Sequence, residues 1–123
     1  MTALAEIYAA LPTIECRGLC SRSCGPVLAT GQELAAMRNA YPGHVPTAGT
    51  VVQHGGAWTI LEIDRKMRCP LLRNGRCTVY ESRPLLCRLY GLVESMPCYM
   101  GCVPERWLTH DEGLQLLAQA AQL

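Results

Sequence analysis

Eight cysteines stand in three clusters along the 123 residues: Cys16, Cys20 and Cys24; Cys69, Cys77 and Cys87; Cys98 and Cys102. Tetrahedral zinc and iron–sulfur clusters both need thiolates gathered from separate segments, because one segment rarely offers more than two or three sulfurs at a workable angle. All eight are therefore candidate metal ligands. A zinc knuckle uses Cys-x-x-Cys, which is absent here; the short spacings are all Cys-x3-Cys. A pair at i and i+4 suits one helical face or a wide loop and reaches a larger centre more easily, which favours an iron–sulfur cluster, [4Fe–4S], over zinc. Single buried thiols can serve as small hydrophobes. That account fails for a set placed among glycines and prolines such as Cys24-Gly25-Pro26 and Gly101-Cys102.

Disulfides are the other use of many cysteines, and they belong to oxidising compartments. MTALAEIYAALPTIEC has no basic leader, and Glu6 interrupts its apolar stretch. The expectation is a cytoplasmic protein whose clustered thiols bind metal. No apolar run approaches the roughly 18 residues needed to span a bilayer, so no membrane partner is expected.

Net charge is +1, too small to drive the chain toward nucleic acid by itself. The distribution is uneven: Arg65, Lys66, Arg68, Arg73, Arg76, Arg83 and Arg88 surround the middle cysteines, opposed locally by Asp64 and Glu81. Four thiolates around a metal leave excess negative charge, which neighbouring donors stabilise. Arg83 and Arg88 flank Cys87 and, with Tyr80, are candidates for that role. His44, His54 and His110 lie in a loop, a glycine-rich loop and a capping segment, and read as solvated surface.

The elements that must position these groups follow from local patterns. Leu4, Ile7 and Leu11 share one face of a helix over residues 2–10, stopped by Pro12. Residues 16–26 read as a looped cysteine segment. Thr30-Gly-Gln-Glu33 has the form of a capping box and starts a helix over Gly31–Ala40. Residues 42–56 read as a loop with a short strand at Thr50–Gln53, followed by a better strand at Ala57–Ile63. Asn74-Gly75 predicts a type I′ hairpin in which Arg73 pairs with Arg76 and Leu72 faces Cys77. Ser82-Arg83-Pro84 starts a helix, with Ser82 as its cap and Cys87 about one turn in. A looped pair, Cys98 and Cys102, precedes a second capping box, Thr109–Glu112. The final helix runs to about Gln122 with Leu114, Leu117 and Ala118 as its apolar stripe. The expected fold class is α+β: a single small, irregular, metal-stabilised domain over residues 1–123, with a β-hairpin and three to four short helices.

The segment CPLLRNGRCTVYESRPLLCRLYG resembles the cysteine-cluster family (CxxCxxCC, YkgJ-like) of zinc- or iron-chelating proteins. Its signature is similar to C-x-[FL]-L…C-x-[IV]-Y-E-x-R-P-x-x-C-R. Cys69, Leu72, Cys77, Val79, Tyr80, Glu81, Arg83, Pro84, Cys87 and Arg88 match it. CRGLCSRSCGPVLATGQE is similar to the family's N-terminal cluster, and CYMGC to its C-terminal cysteine segment, so the likeness covers about residues 14–102. The family's doubled cysteine is missing, since Gly25 follows Cys24, while Cys16 and Cys98 are extra.

The resemblance implies metal or cluster binding. A related group, the flagellin lysine methylases, carries an iron–sulfur cluster. The glycine-rich strand-to-helix turn of a methyl-donor site does not occur here, so that activity is not carried over. Three readings follow. The first is a small cysteine-ligated metalloprotein with a structural, redox or sensing role, with room for a protein partner. The second is a metal-dependent enzyme related to the iron–sulfur methylases, with Tyr80, Glu81 or a histidine carrying protons. The third is a nucleic-acid or transcription-machinery adaptor using the basic hairpin, against which stand a single Lys, near-neutral charge and no stacking array.

Overall fold

The structure, a computed structural model, describes residues 2–15, 27–63, 69–74, 76–98 and 101–123. Among them, four α-helices and two small antiparallel sheets make an α+β fold. In chain order these are α1 (Ala3–Ala9), β1 (Leu28–Ala29), α2 (Gly31–Ala40), β2 (Thr47–Gln53), β3 (Gly56–Leu61), β4 (Leu72–Arg73), β5 (Arg76–Cys77), α3 (Leu85–Leu89) and α4 (His110–Ala121). A 3-10 turn at Tyr80–Ser82 precedes α3. Among the described residues, no helix is long and apolar enough to cross a membrane.

The three-stranded sheet has the order β1-β3-β2. Paired residues across a sheet share a face, and the register separates two cores. Leu28, Val51 and Trp58 face one cluster with Leu85, Leu89, Leu92, Val93, Leu108 and Ala120. Val27, Ala29 and Leu61 face the other with Leu34, Met37, Val45, Cys69, Leu71 and Val79. The first cluster is built by α1, α3 and α4; the second carries cysteines.

β2 begins at Thr47, earlier than the predicted Thr50, and an irregular step between Thr47 and Gly49 interrupts its pairing with β3. What reads as a glycine-rich loop is a tight hairpin. Gln53 pairs with Gly56, and His54 (φ 53°) and Gly55 (φ 82°) form the turn between them, the left-handed pair that a type I′ turn needs. Trp58 locks this hairpin by donating its Nε1–H to the Gln53 carbonyl at 2.8 Å.

The helix starts follow local chemistry. Thr2 caps α1, and Leu4 is buried on the face predicted for it. Both capping boxes form: Thr30 with Glu33, and Thr109 with Glu112. Two expectations are corrected. Leu114 is 38 % exposed. The buried line of α4 passes instead through Gly113 and Ala120, with Leu116 and Leu117 half-buried against the helical cluster. At Gly113 the helix packs closely on Val93, where an added Cβ would stand 3.2 Å from Val93 Cγ2 and the valine would have to shift by a few tenths of an ångström. Ser82 does not cap α3; it lies within the 3-10 turn, Pro84 is the capping position, and no side chain of this segment bonds the helix start.

Candidate metal centre

The described cysteines reach their places by different routes. Cys69 precedes the β4–β5 hairpin, whose register pairs Leu72 with Cys77 and Arg73 with Arg76 as expected. Asn74 has the positive φ of 53° that the turn requires; Gly75 lies outside the described residues. Thr78 fastens the hairpin base by donating its hydroxyl and its N–H to the Leu71 carbonyl, at 2.7 and 3.1 Å. Two like charges opposite one another would repel. Arg73 turns away and donates Nη1 to the carbonyls of Pro70 and Leu72, at 2.5 and 2.9 Å.

Cys87 rides on α3. Successive helical residues turn by about 100°, so residues i and i+4 share a side while i+2 points nearly opposite. Leu85 and Leu89 accordingly enter the helical cluster, and Cys87 faces the other core. That core holds buried Cys69, with half-buried Cys77 and Cys87 packed against it. Thiols from three segments therefore converge on one apolar surface.

The electrostatics agree with that convergence. Burial pushes the Cys87 thiol up to about 12, and the charges of Cys69 and Cys77 push it the same way, while Arg83 opposes them. Burial likewise raises Cys77, where the Val79 amide and Arg83 oppose it and Cys69 adds to it. A group of buried thiols that destabilise one another's charge is stabilised by a cation, because a coordinating thiol deprotonates on the metal. The chemistry of these donors, three thiols, thus suits zinc or iron. Among the described residues no group of three or more His, Cys, Asp or Glu side chains is placed to hold a metal ion, so Cys69, Cys77 and Cys87 share a core without forming a complete site by themselves. Cys16, Cys20 and Cys24 lie outside the described residues.

Cys98 is elsewhere. Its Cβ is 3.6 Å from where a Cβ on Gly91 would stand, beside Ile14, which packs on the helical cluster. The Gly101 N–H donates to the Cys98 carbonyl at 3.1 Å, one residue before half-buried Cys102.

The two flanking arginines play different parts. Arg83 lies over the Tyr80 ring at 4.0 Å and donates to the Tyr80 carbonyl at 2.8 Å, within electrostatic reach of Cys77 and Cys87. Arg88 is a clamp. Its Nε donates to the Arg83 carbonyl at 2.7 Å, its Nη2 to the Glu81 carbonyl at 2.9 Å, and its guanidinium sits 3.8 Å from the centre of the Tyr8 ring. His44, His54 and His110 are all exposed, and His110 Nδ1 is 2.9 Å from Ser95 Oγ.

Sequence reasoning reads Glu33 only as a capping partner. In the structure it is 0 % exposed. One oxygen accepts the Thr30 N–H at 3.0 Å; the other accepts the Tyr8 hydroxyl at 2.5 Å and the Leu85 N–H. Burial raises the pKa of Tyr8, the Glu33 hydrogen bond and charge raise it further, and Arg88 opposes both. The box itself is legible in TGQE, but nothing local signals that this carboxylate caps a helix 52 residues away.

A family model described as "Putative zinc- or iron-chelating domain", CxxCxxCC, matches residues 15–114, well over half of the chain. No curated protein and no solved structure matches it.

Proposed function

Because this chain belongs to the CxxCxxCC zinc- or iron-chelating family, we propose that it is a small cysteine-ligated metalloprotein whose centre is built on Cys69, Cys77 and Cys87. The observation that carries this reading is the meeting of those thiols, from a loop, a strand and a helix, on one apolar core. Cys16, Cys20 and Cys24 supply further ligands from the N-terminal side, and Cys98 and Cys102 are candidates from another segment. We favour a [4Fe–4S] cluster over zinc, because Cys-x3-Cys spacing suits a centre with widely separated ligands. Bound there, the group supplies electron transfer, sensing or a structural staple. Among the described residues, Arg83 is a positive group whose charge favours the thiolates of both Cys77 and Cys87.

Anaerobic purification followed by visible absorption and elemental analysis tests the choice of metal. A brown protein with iron and acid-labile sulfide supports the cluster; a colourless one with stoichiometric zinc overturns it and keeps the ligands. Cys77→Ser or Cys87→Ser should release metal and lower stability severely, because metal binding and folding are coupled. A variant that melts like the parent would refute the metal's part in holding the fold.

A further inference from the structure

Helix α3 carries Cys87 but has little means of fixing its own angle. Five residues are too few to form a stable helix alone. The N–H groups of its first turn need outside acceptors, and Pro84 at its capping position has no side chain that can accept. The acceptor comes from α2: the Glu33 carboxylate takes the Leu85 N–H, two residues before Cys87. The same oxygen takes the Tyr8 hydroxyl from α1, and Arg88 closes the ring by lying on Tyr8 and bonding the carbonyls of Glu81 and Arg83. Leu85 and Leu89, at 0 % and 1 % exposure, hold the opposite side of the helix.

We propose that Glu33, acting through the Leu85 N–H, is a positioning residue of the metal centre: it sets the angle at which α3 presents Cys87, with Tyr8 and Arg88 holding both in place. The inference rests on the cysteine-ligated reading above. A carboxylate is required because backbone N–H groups meet both of its oxygens, Thr30 on one and Leu85 on the other. An amide has a single acceptor oxygen, so glutamine in either orientation turns an NH₂ toward an N–H.

The test uses the full chain, freed of metal under anaerobic conditions and titrated with Co²⁺ alone against a competing chelator. The thiolate-to-cobalt charge-transfer band reports ligand geometry independently of stability. Glu33→Gln should weaken Co²⁺ binding roughly 10- to 100-fold and alter the band, as loss of a group that orients a ligand does. Glu112→Gln, the same change in the other capping box, should leave affinity and band at parental values. Tyr8→Phe keeps the carboxylate and both of its backbone donors, and is the variant to use if Glu33→Gln fails to fold. It should weaken binding by about 2- to 10-fold, a smaller loss than removing the orienting group itself. Parental affinity and band in the folded variant would assign Glu33 to fold stability alone and overturn the proposal. If Cys77→Ser binds Co²⁺ as the parent does, the cysteine-ligated reading fails rather than the role of Glu33.

Discussion

Two stretches of this chain, Thr30-Gly-Gln-Glu33 and Thr109-His-Asp-Glu112, carry the same capping motif and form the same reciprocal bonds, yet they do different work. Glu33 Oε1 accepts the Thr30 N–H at 3.0 Å and Glu112 Oε1 accepts the Thr109 N–H at 3.0 Å. The second oxygen divides them. Glu112 offers its own to solvent and to Arg106 at 3.6 Å, an exposed pair of the kind that contributes little. Glu33 offers its own to Tyr8 and to the first N–H of α3, joining three helices inside the protein. A capping box therefore specifies a helix start, while burial decides whether its carboxylate also becomes a tertiary joint.

The two boxes should differ most at Glu33. Glu33→Gln should lower the unfolding free energy by about 3 kcal/mol in a denaturant titration, because it strands a buried N–H against an NH₂ group. A loss equal to that of Glu112→Gln would erase the distinction. Next come the caps: Thr30→Ala, at a buried site, should cost about 2 kcal/mol and exposed Thr109→Ala about 1 kcal/mol, each read from the denaturation midpoint. Tyr8→Phe removes one hydrogen bond and leaves the carboxylate its backbone donors, for about 1 kcal/mol.

The smallest effect is the pH dependence of the exposed box. The Thr109 N–H holds the Glu112 carboxyl below its ordinary 4.5, with the Thr109 side chain and the Arg106 charge acting in the same direction. A carboxylate whose folded pKa is lowered adds stability above its unfolded value, and that contribution is lost as pH falls through the folded one. Parent and Glu112→Gln should therefore differ slightly at neutral pH and converge under acid, measured as stability against pH. A gap that widens under acid would reverse the sign.

What was legible in the sequence is what neighbours along the chain decide. Asn74 sets the β4–β5 register, Thr30 and Thr109 find their acceptors three residues away, and the Leu4 face of α1 follows from helical period. What failed depended on distant partners. Ser82 looks like a cap by composition, but α3 is capped from α2, so the serine is free to lie in a 3-10 turn. Leu114 looks like core by hydropathy, but Gly113 brings α4 close to Val93 and rotates the buried line away from it. The β2–β3 hairpin hid behind its glycines because histidine, a residue type enriched at positive φ, shares the turn with Gly55. On the second core, the middle cysteines are local in order and tertiary in placement: Cys77 is placed by its hairpin, Cys87 by a helix whose cap lies in α2.

The separation of Glu33 and Leu85 also carries a statement about time. Their bond closes a loop of 52 residues, and such closure costs chain entropy before it returns any enthalpy. The helix that depends on it has no stable existence of its own. During folding, then, the hairpin with Cys77 can form from neighbouring residues within microseconds, while Cys87 waits for α1 and α2 to dock. The expectation is that its thiol joins the others only once α2 has docked on α3.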